Sequence, residues 1–278
     1  MRLRRIVADR LLISFSFAAV IIAIVPLASI LFDVTAKGIT AINWDFFTML
    51  PPTPLPGAVG GLGNAIQGTL ILVSLASAIG LPVGLFSGVY ISEYGGNWYG
   101  SSIRFLGDVL VGNPSIVFGI MGYVLLVLPL QSYNTLAGGF ALGVMMMPII
   151  SNTTAEALKL VPNSLREASM ALGVRKWRTT FVIISNARAA VATGALLAVA
   201  RVMGETAPLI LTAGISTLWF SGLNQPAASL TYYIYYFATS PFPNWVSLAW
   251  GAAFVLIVTI MIINVAVRVV TRGARAHA

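Results

Sequence analysis

Of the 278 residues none is cysteine, only one is histidine, and Lys, Arg, Asp and Glu together make up 9%. No disulfide, catalytic thiolate or cysteine-ligated metal can be built from such a chain. The one histidine, His277, sits in a basic tail, where it reads as a solvated side chain and not as a metal ligand or general base. No catalytic residue is expected either, because no second carboxylate or nucleophile stands beside the acid at Glu205. A nucleotide-binding P-loop needs Gly-Lys followed by Ser or Thr, and no Gly-Lys pair occurs.

Apolar residues take the place of charge. They make up 58% of the chain and the mean hydropathy is +0.91, which leaves too little polar surface for a water-soluble fold. Crossing the ~30 Å hydrocarbon layer takes about 20 helical residues. Runs of this kind lie near Leu11–Phe32, Ala65–Tyr90, Ser115–Leu130, Thr135–Ile150, Ala189–Thr212 and Leu248–Val270. The expected fold class is all-α, a polytopic membrane protein with about six transmembrane helices in a single membrane domain over residues 1–278. The first run is longer than a signal-peptide core and lacks a small-residue cleavage site, so it reads as a retained anchor.

Basic residues give the orientation, since short cytoplasmic loops carry an excess of Lys and Arg. Arg2, Arg4, Arg5 and Arg10 precede the first helix, Arg104 lies in the second connection, and Arg268, Arg272 and Arg275 follow the last helix. The connection after the fourth helix holds Lys159, Arg166, Arg175, Lys176 and Arg178, with Arg188 at its end, whereas opposite-side loops hold little beyond Lys37. Both termini are expected in the cytoplasm. The net charge of +8 then follows from orientation and anionic lipid headgroups, without nucleic acid.

Gly80, Gly84 and Gly88 recur every fourth residue around Pro82, a smooth stripe suited to close helix packing inside the bundle or at a subunit interface. Gly139 and Gly143 suit ordinary packing, and Met145, Met146 and Met147 suit flexible apolar filling. Gly112-Asn113-Pro114-Ser115 is either a helix entry or the lining of a pathway. On the outer side, the proline-rich run 51–57 is a stiff linker or a resting surface for another protein. The aromatic segment Trp219–Trp245 is an interfacial belt or a docking surface for an extracytoplasmic partner.

Two polar features stand out. Within the cytoplasmic connection 151–180, Ser164 and Glu167 have capping-box spacing and Gly173 can take a left-handed turn, so a short capped helix is expected from Ser164 to Gly173. Arg201 and Glu205 lie one turn apart in an apolar run and should share a helix face. They form a self-neutralising structural pair, or Arg201 offers donors to a phosphate-like oxyanion while Glu205 holds or releases it.

The residues Glu167-Ala168-Ser169-Met170-Ala171-Leu172-Gly173 resemble the Glu-Ala-Ala-x-x-x-Gly loop of bacterial ABC importer permeases. Arg201 through Gly214 is similar to the corresponding stretch of phosphate-specific permeases, and its Glu-Thr-Ala-Pro-Leu form resembles the PstA-type subunits. Asn64–Leu70, Ile91–Tyr94 and Pro114–Gly119 are similar to the same family. The resemblance implies the type I importer (MetI-like) fold in a bacterial plasma membrane, with Ser164, Glu167, Ala168, Ala171 and Gly173 coupling to an ATPase. It places Arg201 and Glu205 in the substrate pathway. It further implies no cofactor on this chain, with ATP and Mg used by a partner dimer of PstB-type ATP-binding subunits. The other implied partners are a PstC-type second permease, a PstS-type phosphate-binding protein and membrane lipid. Ser169 departs from the second alanine of the loop, and Ser185-Asn186 stands where many relatives have Leu-Pro. The alternatives are a permease for another oxyanion, or an ion-driven secondary transporter with its coupling groups inside the membrane.

Overall fold

The computed structural model describes residues 2–55 and 57–275, apart from the side chains of 2–8, 267–268 and 270–275, and every regular element among them is helical. The orientation argument from Arg2, Arg4, Arg5, Arg268, Arg272 and Arg275, and the reading of His277, therefore fall outside the described side chains.

A long helix α1 (Arg2–Gly38) leads through a short turn to α2 (Trp44–Thr48), whose first turn is capped by Asn43. Next come α3 (Gly63–Glu93), α4 (Trp98–Gly112) and α5 (Ser115–Gly122), which continues through a π turn at Tyr123–Val127 into α6 (Leu128–Leu130). The second half comprises α7 (Thr135–Lys159), α8 (Asn163–Ala171), α9 (Lys176–Met203), α10 (Ala207–Thr212), α11 (Leu230–Ala238) and α12 (Pro243–Arg275). Among the described residues five helices (α1, α3, α7, α9 and α12) are long and apolar enough to cross a membrane. The pair α4 and α5–α6, bent by 104°, brings the number to six if it is one span.

Three expectations are corrected. The second connection contains α4, which a search for uninterrupted apolar runs passes over because it carries Arg104 and Asp108. Asn97 signals its start, with Oδ1 accepting the Gly100 N–H at 2.9 Å. The fourth span runs on to Lys159 beyond Ile150. The fifth, expected over Ala189–Thr212, instead begins at Lys176 and stops at Met203. Pro208 explains the stop, because its ring would collide with the carbonyl four residues earlier, which belongs to Gly204. The chain kinks there and restarts as α10 with Pro208 in its first turn.

The centre of the bundle is the α3–α7 pair, brought together by glycine. A Cβ on Gly80 would lie 2.8 Å from the Gly143 carbonyl oxygen, one on Gly84 2.7 Å from Ile150 Cβ, and one on Gly88 2.5 Å from the Ser151 carbonyl oxygen. All three glycines are buried against α7, so the stripe packs inside this subunit. From the α7 side, a Cβ on Gly139 would lie 2.6 Å from Leu75 Cβ. Met145 and Met146 are buried in the same region, and Leu72, Ala76, Leu142, Ile150, Ala198 and Val202 complete a shared core.

At the opposite end from α8, the chain after α10 folds back over the bundle, and polar groups of α3 seat it. Asn64 Nδ2 donates to the Ser216 carbonyl at 2.9 Å, Gln67 Oε1 accepts the Phe220 N–H at 3.1 Å, and Thr69 Oγ1 accepts the Leu230 N–H at 2.9 Å. Gly68 lies directly under the Ala228 carbonyl, where a Cβ would collide. The start of α7 is satisfied by the same returning segment, with Thr135 and Leu136 N–H groups donating to the Gln225 and Leu223 carbonyls at 2.9 and 3.0 Å. Tyr233 and Phe237 are buried here, and Trp245 stacks on Phe237 with centroids 4.6 Å apart. The aromatic segment is thus in part a folded core and not simply a membrane-interface belt. The proline-rich run is pinned to it, since Trp245 Nε1 donates to the Pro52 carbonyl at 3.0 Å.

Candidate functional site

The helix α8 projects from the end of the bundle formed by the C-termini of α3 and α7 and the N-terminus of α9. It begins at Asn163 with Pro162 as the cap residue, so Ser164 is already inside the helix. The expected capping box is therefore absent: no side chain caps this terminus. Its end does follow the expectation from sequence, as Gly173 takes φ +76° and its N–H reaches the Met170 carbonyl at 2.9 Å. Ser164, Glu167, Ala168, Ala171 and Gly173 are all exposed, side by side with the exposed Met170 and Leu172. One helix thus presents a small-residue surface with a single carboxylate to whatever lies beyond.

Arg166 occupies the opposite, partly buried side of α8. Its Nη2 donates to Glu93 Oε1 at 2.9 Å and its Nε to Glu93 Oε2 at 3.3 Å, a two-point pair with side chains only 18% and 7% exposed. The same guanidinium donates to the carbonyls of Leu158 at 2.8 Å and Val161 at 2.7 Å and to Asn163 Oδ1 at 3.0 Å. The Leu158 carbonyl is one of the last four of α7, which have no partner within their own helix. Ser169, the departure from the family alanine, places its hydroxyl 3.0 Å from that of Thr179 in α9. An open cleft of about 530 Å³ lies beside these groups, lined by Ser92, Lys159, Met170 and Lys176 among others. In the sequence Arg166 is one of several positive charges and Glu93 is part of the Ile91–Tyr94 string. Nothing in their spacing of 73 residues could pair them.

The second polar feature takes a different form from the one expected. Arg201 lies in the last turn of α9, inside an apolar span, while Glu205 falls after the helix end, so the two do not share a helix face. Neither forms an ion pair among the described residues, whose three pairs are Asp33–Lys37, Glu156–Lys159 and Glu93–Arg166. Arg201 is exposed while its neighbours Val202 and Met203 are buried. The helix C-terminus offers a cation partial compensation. Glu205 is half-buried, and its backbone carbonyl accepts the Thr231 hydroxyl at 2.9 Å, which fixes the kink to α11. Next to it, α10 packs on α5 closely enough that a Cβ on Gly119 would lie 2.8 Å from Pro208 Cα. Pro114 precedes the first residue of α5 with φ −57° and ψ 141°, so Gly112-Asn113-Pro114-Ser115 is a helix entry at a sharp bend. Among the described residues no group of three or more His, Cys, Asp or Glu could hold a metal ion.

Residues 80–276 match the family described as binding-protein-dependent transport system inner membrane component. Among curated proteins, the phosphate transport system permease protein PstA of Pasteurella multocida (strain Pm70) is 40% identical over 263 residues, which is 94% of this chain and 93% of that protein. The phosphate transport system permease protein PstA 1 of Mycobacterium tuberculosis (strain CDC 1551 / Oshkosh) is 35% identical, over 95% of this chain and 88% of its own length. Among solved structures, a chain of the MetNI methionine ABC transporter in inward-facing conformations aligns with a TM-score of 0.59 at 18% identity, covering 77% of this chain and 94% of that one. That likeness concerns the fold alone. Five or six apolar spans among the described residues accord with an inner membrane component, and this chain belongs to the binding-protein-dependent transport system inner membrane component family.

Proposed function

We propose that this chain is the PstA-type permease subunit of an ATP-driven inorganic phosphate importer. It forms half of the translocation pathway, beside a PstC-type permease, and couples to a dimer of PstB-type ATPase subunits. A PstS-type binding protein delivers phosphate on the outer side. The observation that carries this reading is α8: a short exposed helix, held to the bundle by one face, on a chain with no P-loop. A separate ATPase has something to push, and the chain has no motor of its own.

Closure of the ATPase dimer displaces α8, and the bundle to which it is tied tilts between inward-open and outward-open states. Phosphate crosses past Arg201, whose planar fork of donors suits an oxyanion and which spends none of its charge on a neighbouring carboxylate. Glu205 sits beside the kink and keeps the cation from becoming too deep a trap. The basic residues Arg175, Lys176 and Arg178 near α8 support a cytoplasmic location for that end and, with it, for both termini. The test is reconstitution of the four-component assembly in liposomes, where phosphate uptake should require ATP hydrolysis. Uptake that continues without hydrolysis, or ATP-driven uptake of another oxyanion in place of phosphate, would refute this function.

A further inference from the structure

We infer that Arg166 and Glu93 are positioning residues that make α8 move as one rigid piece with the cytoplasmic ends of α3 and α7; the inference rests on the coupling role proposed above and names the joint through which it works. Three helix ends meet on one guanidinium. Glu93 is the last residue of α3, the Leu158 carbonyl belongs to the last turn of α7, and Arg166 itself lies in α8. A carboxylate at a helix C-terminus faces the negative end of the helix dipole, so Glu93 is poorly placed unless a cation joins it. Arg166 supplies that cation with a two-point geometry that a lysine cannot reproduce. The pair is mostly withdrawn from solvent, and the guanidinium also holds Val161 and Asn163 across the turn between α7 and α8. Pulling α8 away alone would leave the Glu93 carboxylate, 7% exposed, without its cation, whereas moving α8 with α3 and α7 keeps the pair intact. Because the glycine stripe locks α3 to α7, a push on α8 reaches both central helices at once.

This chain has no native cysteine, so labels can be placed on it at chosen positions, with partner subunits made cysteine-free. Phe86→Cys on α3 and Met170→Cys on α8, at positions 76% and 51% exposed, are spin-labelled in the full importer. The expected result is one narrow distance distribution that is the same in nucleotide-free and ATP-trapped assemblies. Adding Glu93→Gln should broaden or split it, and phosphate imported per ATP hydrolysed should fall about fivefold with the ATPase still bound. Should Glu93→Gln prevent assembly, Arg166→Lys takes its place under the same criteria. A distance that changes between nucleotide states with both residues intact overturns the inference, as does an unchanged coupling ratio in the variant. Failure of the functional reading would look different: the unmodified importer would take up phosphate without hydrolysing ATP, while the label distance would still report whether α8 and α3 move together.

Discussion

Arg201 carries a full charge in a helix otherwise suited to lipid, and its isolation from Glu205 changes what the pair can be. Insertion scales put an unpaired arginine at the centre of a membrane helix at a cost of about 3 kcal/mol, so the site must face water, a partner subunit or substrate. Among the described residues no carboxylate engages Arg201, so the guanidinium keeps its donors free for another group. Arg201→Ala is expected to abolish uptake in proteoliposomes while the ATPase remains bound, and Arg201→Lys to restore only part of it; full uptake in the alanine variant would return the residue to a structural role. Glu167 is the one carboxylate on the exposed face of α8. Replacing it with Lys should release or uncouple the ATPase, read as loss of phosphate-stimulated hydrolysis with the bundle still folded. At the far end, burial pushes the Tyr233 phenol up from 10.0 to about 12, and its hydroxyl donates to the Ser216 carbonyl at 2.9 Å. A raised value in the folded state means that folding favours the protonated phenol. Its contribution is complete below pH 10.0 and disappears as the pH passes about 12. Thermal unfolding in detergent should therefore weaken across that window, and Tyr233→Phe should flatten that part of the profile.

The contact between α3 and α7 depends on missing side chains, because lipid offers no reward for hiding apolar surface and close backbone approach must supply the attraction. Gly84→Ala puts a methyl group 2.7 Å from Ile150 Cβ and 2.9 Å from the Met147 carbonyl oxygen. Overpacking of this kind costs about 1–3 kcal/mol. A lowered melting temperature of the purified subunit, with a larger drop for Gly84→Leu, would confirm the packing, and no change would show that the two helices separate easily. Several helices of the bundle are interrupted. The α4–α5 bend, the π turn and the Gly204–Thr206 break all leave backbone groups outside regular ladders, which a membrane tolerates only where protein or water covers them. Just past the Pro114 bend, α5 packs through Gly119 on Pro208 at the second break.

In the whole molecule the two ends do different work. One is closed by a returning segment seated on Asn64, Gln67 and Thr69, and the other bears α8 on its Arg166 joint. If the α8 end is cytoplasmic, a single cysteine at Leu172, 83% exposed, should react with a membrane-impermeant thiol reagent only in inside-out vesicles. A cysteine at Val59, 70% exposed near the opposite end, should react only in right-side-out ones. Reversed labelling would overturn the orientation. Much of this architecture was legible before any coordinates. The six apolar runs, the glycine stripe and the left-handed end at Gly173 are written in composition and local spacing, which act within a turn or two of chain. The α9 break was legible too, in Pro208, although hydropathy alone ran past it.

What the sequence determined by itself is the solvent, the class and the kinship of this protein, since oil content, helical period and short motifs need no partner distant in the chain. Tertiary structure alone decided the rest. It separated Arg201 from Glu205, moved the start of α8 to Asn163, turned the Asn64–Thr69 string into a seat, and joined Glu93 to Arg166. The physical reason is that a buried charge or an unfilled carbonyl must be satisfied by whatever group the packed helices bring within hydrogen-bond reach, and that group is chosen by geometry across the bundle, not by spacing along the chain.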